Sequence, residues 1–159
     1  MTVRWHLLHP AVVHFPLALL LAGGAARAVS ISRRAPAWLE DATAWLLWAG
    51  ALTAWLAVVL GHVAEDSAAH VPGAWRLLNA HEQLATWTAG FYTVLSALVF
   101  TLRRKGWPGR WSREGVALAW IFGWAFLLRT AYFGGELVFT HGMGVGESVE
   151  EAVEKPLDQ

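Results

Sequence analysis

The sequence predicts an all-α integral membrane protein, an antiparallel bundle of four transmembrane helices, and three observations carry that expectation. Hydrophobic residues fill 56% of the 159 positions and charged residues only 15%, where a soluble domain carries about 25% charge. Four stretches, residues 10–26, 42–63, 84–102 and 115–140, are long and apolar enough to cross a bilayer core, and only the fourth contains an ionisable Arg, Lys, Asp or Glu. The breaks between them are short and rich in charge, Pro or Gly, as turns are.

Composition also excludes several classes of protein. With no cysteine there is no disulfide, thiolate metal site, iron–sulfur cluster or cysteine nucleophile. Twelve Lys and Arg balance twelve Asp and Glu, so the net charge of +0 supplies no electrostatic footprint for nucleic acid. The chain is short enough for one domain, expected at 8–145, followed by an acidic flexible tail at 146–159 that lacks apolar periodicity.

Helix one opens on Pro10, which suits a first turn, with His9 near the N-cap. Pro16 then removes one backbone bond and loosens the ladder around Val12, which places His14 beside a kink. The Ala26-Arg27-Ala28 segment faintly resembles a signal-peptide cleavage site, but the stronger basic cluster follows the apolar run, and His14 and Pro16 interrupt it. Helix two carries Gly50, Ala54, Ala57 and Gly61 on one narrow face, which lets another helix approach closely. Its second stripe, Trp45, Trp48, Leu52, Trp55 and Val59, reads as packing or lipid contact. Helix three is preceded by Asn79, which with Glu82 forms an Asn-x-x-Glu capping box. Helix four holds Arg129 and Glu136, and a guanidinium inside a span demands an anionic partner. Glu136 is two turns away, so Asp66, Glu82 or a ligand carboxylate is the expected partner. Trp5, Trp38, Trp75, Trp107 and Trp111 stand near helix ends and read as interfacial anchors.

Basic residues fix the expected orientation. Arg27, Arg33, Arg34, Arg103, Arg104, Lys105, Arg110 and Arg113 flank the first and third loops, whereas the opposite side has only Arg4, Arg76 and Lys155. Cytoplasmic loops retain Lys and Arg, so both termini are expected in the periplasm of a bacterial inner membrane.

All seven histidines fall on that outer side. His9 and His14 open helix one, His62 closes helix two, His81 opens helix three and His141 follows helix four, with His6 and His70 in the flanks. Neutral imidazole is the commonest metal ligand and the usual axial partner of haem iron. The layer is therefore expected to hold haem b on ligands drawn from His14, His62, His81 and His141, with Arg129 countering propionate charge. The alternative is copper or zinc bound or transported by His9, His14, His62, His81, His141, Asp66 and Glu82. A further alternative is a scaffold or assembly subunit of a membrane complex. No Ser-His-Asp spacing, phosphate-binding glycine loop or His-Glu-x-x-His motif occurs, so an electron carrier or binding module is expected in preference to an enzyme. The expected partners are the lipid bilayer, a periplasmic redox protein and a second copy of the chain.

Two motifs carry a family resemblance. His9-Pro10-Ala-Val-Val-His14-Phe15-Pro16-Leu at the start, and Gly134-Gly135-Glu136-Leu137-Val138-Phe139-Thr140-His141-Gly142-Met-Gly-Val145 at the end, together with His81-Glu82, resemble the bacterial membrane family known as domain of unknown function 2231. The resemblance runs from about Leu8 to Val145. It implies a small four-helix inner-membrane protein, joined in some members to redox domains such as Rieske modules, and it supplies no activity. Helix two departs from the pattern: many relatives end it Gly-x-x-Asp, and this chain reads Gly61-His62-Val-Ala-Glu65-Asp66.

Overall fold

A computed structural model describes residues 8–32, 35–66 and 73–143. Five helices make up the four expected rods: α1 (Leu8–Val12), α2 (His14–Ser30), α3 (Ala37–Asp66), α4 (Trp75–Lys105) and α5 (Arg110–Phe139). Four segments are long and apolar enough to span a membrane, with mean hydropathy from 1.4 to 1.8. In each, only 28% of the apolar window is buried inside the bundle, so most of that surface needs lipid as its solvent. The expected tail at 146–159, and His6, His70, Trp5, Arg33 and Arg34, lie outside the described residues.

The first rod is broken where Pro16 predicts. Val13 N donates to His9 O at 3.1 Å and Leu17 N to Val13 O at 3.4 Å, but Pro16 has no N–H to give Val12, and the helix divides at Val13. At the other end of the bundle, α4 stops in a left-handed glycine, Gly106 at φ 75°, and Trp107 N closes back on Leu102 O at 2.9 Å.

Glycines set how closely the helices pack. On the small-residue face of α3, a Cβ at Gly50 would stand 2.5 Å from Leu20 Cδ2, so α2 sinks its leucine into that notch. Gly23 and Gly24 make the same room for Trp120 and Trp124 of α5. Both indole N–H groups donate to the Leu20 carbonyl, at 2.9 and 3.1 Å, which satisfies two buried donors with one acceptor. Leu20, Leu47, Tyr92 and Trp120 are the large side chains of the resulting core.

Three expectations are corrected. The buried arginine is Arg27, 1% exposed and bonded to Glu40 at 2.5 Å, whereas Arg129 is exposed and lies 4.9 Å over the Phe133 ring. Arg129 falls on the outward side of α5 because Leu127, Thr130 and Gly134 take the inward one, and among the described residues no carboxylate pairs with it. The Asn79–Glu82 capping box does not form, since α4 begins a turn earlier, at Trp75. Its extra turn packs Ala74 and Leu78 under Leu137, burial that outweighs a local capping signal. Finally, Trp38, Trp75 and Trp111 are exposed at helix ends as anchors should be, but Trp107 is half-buried beside Arg27 and Arg113, its ring centre 4.5 and 5.7 Å from their guanidinium carbons.

Candidate functional site

Two histidines from different rods meet inside the bundle. The rings of His9, on α1, and His81, on α4, have centroids 6.3 Å apart and planes inclined at 87°. Each is fixed by the same device on the helix it faces. His9 Nδ1 lies 2.9 Å from the Ala57 carbonyl of α3 and packs over Gly61, one turn on. His81 Nδ1 lies 3.0 Å from the Thr130 carbonyl of α5 and packs over Gly134, again one turn on. A Cβ at Gly61 would meet His9 Cε1 at 3.2 Å, and one at Gly134 would meet His81 Cε1 at 3.0 Å.

The tautomer follows from these partners. A carbonyl only accepts, so Nδ1 carries the proton in both rings, and Nε2 of each neutral imidazole keeps its lone pair. Metal-ligating histidines are set this way, with the second ring nitrogen donating to a backbone carbonyl. The two rings make the contact between α1 and α4. The backbone of α1 comes close to α2 and α3 but not to α4 or α5.

The remaining histidines do not join them. His14 is exposed one residue beyond the break in the first rod. His62 is exposed too, and its Nδ1 bonds back to Val58 O of its own helix at 2.9 Å. His141 is half-buried in the turn after α5. Glu82 faces Glu65, within hydrogen-bonding reach, and lies near His62; Asp66 is the last residue of α3. Among the described residues, no three His, Asp or Glu side chains gather as a metal site of three or four ligands requires. Of the expected set the structure therefore brings together His81 and His9, and leaves His14, His62, His141 and Arg129 apart from them.

His9 stands in the expected copper or zinc set but not among the expected haem ligands, and its pairing had one legible signal. Ala57 and Gly61 are visible in the sequence as a close-approach face, and Gly134 begins the terminal motif. What is not visible is that an imidazole, rather than another helix backbone, occupies both notches.

A polytopic α-helical membrane protein with a glycine-seated histidine pair is the class that this fold defines. The chain belongs to the family described as predicted membrane protein DUF2231, whose profile matches residues 5–147. Neither the curated proteins nor the solved structures contain a match to it.

Proposed function

We propose that the protein is a haem b-binding electron-transfer module of the bacterial inner membrane, with His9 and His81 as the axial ligands. One observation carries the reading: two imidazoles on separate helices, each with Nδ1 given to a backbone carbonyl and Nε2 left for a ligand. The ring centroids stand 6.3 Å apart, so His9 and His81 would be the residues to hold the group. Bound haem supplies a one-electron couple, and the chain supplies ligands, burial and orientation. With the basic loops cytoplasmic, the pair stands toward the periplasm, within reach of a periplasmic redox protein.

The test is a reduced-minus-oxidised spectrum of protein purified with haem supplied during expression. Two neutral imidazoles give six-coordinate, low-spin iron with a sharp Soret band and split visible bands on reduction. His9→Ala and His81→Ala abolish or convert that spectrum, while His14→Ala, His62→Ala and His141→Ala leave it intact. A colourless preparation that is folded overturns the haem reading. Copper or zinc found by metal analysis would then move the pair to a metal-binding role, and neither metal would leave a scaffold subunit.

A further inference from the structure

The end of the bundle opposite the histidine pair holds a second constellation, built from charge. A cleft of about 760 Å³ opens there, lined by the end of α2, the start of α3 and the start of α5. Its polar lining includes Ser30, Glu40, Arg110 and Arg113, and Trp107 lines it as well.

Two of the charges in the lining are already answered. Glu40 receives Arg27 Nη1 at 2.5 Å, and Arg110 Nε donates to Glu114 at 2.5 Å. Arg113 differs: it stacks on Trp107, and among the described residues no carboxylate pairs with it. Arg27, whose guanidinium carbon lies 4.5 Å from the centre of the Trp107 ring, is buried, and among the described residues its Nε has no acceptor. Arg103, which pairs with Asp41, and Arg113 both stand near enough to Arg27 to repel it. Among the described residues, Glu40 and Asp41 thus answer Arg27 and Arg103, and the charge of Arg113 at the cleft is left unanswered. The first turn of α5 adds to it, because Gly109, which also lines the cleft, is an N-cap without a side-chain bond to the free N–H groups.

We propose that this cleft binds a phosphate group, carried by an anionic phospholipid or free in solution. A planar guanidinium and helix N–H groups are the donors that phosphate oxygens take, and an anion placed there offsets the repulsion between Arg27 and Arg113. Glu40 does not oppose it, since Arg27 already neutralises that carboxylate. The inference is independent of the histidine pair.

Thermal unfolding of the full chain in detergent tests it, with phosphatidylglycerol, phosphatidylcholine and inorganic phosphate titrated separately. Phosphatidylglycerol raises the melting temperature along a saturating curve, and phosphatidylcholine raises it less. The same rise with inorganic phosphate alone identifies the free anion as the ligand, and its absence identifies the lipid. Arg113→Gln weakens the apparent affinity about tenfold. Lys105→Gln, which removes an exposed cation at the same end but outside the lining, leaves the affinity unchanged. Arg113→Lys, which keeps the charge without the planar fork, falls between wild type and Arg113→Gln, and it serves if the glutamine variant does not fold. Equal losses in Arg113→Gln and Lys105→Gln, or no response of folded wild-type protein to either phosphatidylglycerol or phosphate, overturn the proposal.

Discussion

His81 rests on Gly134 so closely that a Cβ there would stand 3.0 Å from the imidazole Cε1. The ring cannot retreat freely from α5, because its Nδ1–H is held by Thr130 O. Gly134→Ala is therefore expected to displace the His81 ring and to destabilise the bundle by about 1 to 3 kcal/mol through overpacking. Gly135→Ala is the control, since its added methyl would meet only Phe139 of its own helix, at 4.0 Å. Haem content per protein, measured beside thermal unfolding, should fall in the first variant and hold in the second.

The two arginines whose environments are exchanged relative to the sequence expectation make a second test. Arg27→Leu strands the Glu40 carboxylate in a mostly buried site and is expected to cost about 3 to 5 kcal/mol. Arg129→Leu removes a charge from the outward face of α5, so its melting temperature should stay level or rise. A melting temperature lowered more by Arg129→Leu than by Arg27→Leu would reverse this assignment.

That exchange also shows how far the sequence could be read. The four apolar stretches locate the rods because lipid demands about 20 apolar residues wherever a helix crosses. The Gly50 to Gly61 face is legible because close approach needs small side chains at helical spacing, and Gly50 does seat Leu20. Rotation about each helix axis is less legible. A span that is apolar on all sides gives no moment to tell inward from outward, and so Arg129 reads as buried and Arg27 as a loop-flanking charge. The histidine set suffers the same ambiguity. Seven histidines at one end are visible, but selecting His9 over His14 depends on the break at Val13 and on carbonyls of other helices.

Orientation is tested by cysteine scanning, for which a chain with no cysteine is suited. With the basic loops in the cytoplasm, Ser67→Cys should label with an impermeant thiol reagent on intact cells. Lys105→Cys should label only after the cells are broken. The opposite pattern would place the histidine pair on the cytoplasmic side and remove a periplasmic redox partner from consideration.

Pro16 links the backbone of the first rod to the histidine pair. It withholds the N–H that Val12 O would accept, and the helix is interrupted at Val13, one turn after His9. Restoring that donor in Pro16→Ala allows one continuous helix, because a proline inside a helix forfeits about 3 kcal/mol relative to alanine. The gain is partly offset by the packing lost at a buried side chain. Any change in the helix at Val13 is expected to shift His9 against Gly61 and Ala57 O, which hold its ring. The expected outcome is a folded protein, at least as helical as wild type by circular dichroism, whose haem affinity falls or whose low-spin spectrum turns high-spin. Wild-type haem affinity in a Pro16→Ala protein would show that the break at Val13 does not position His9.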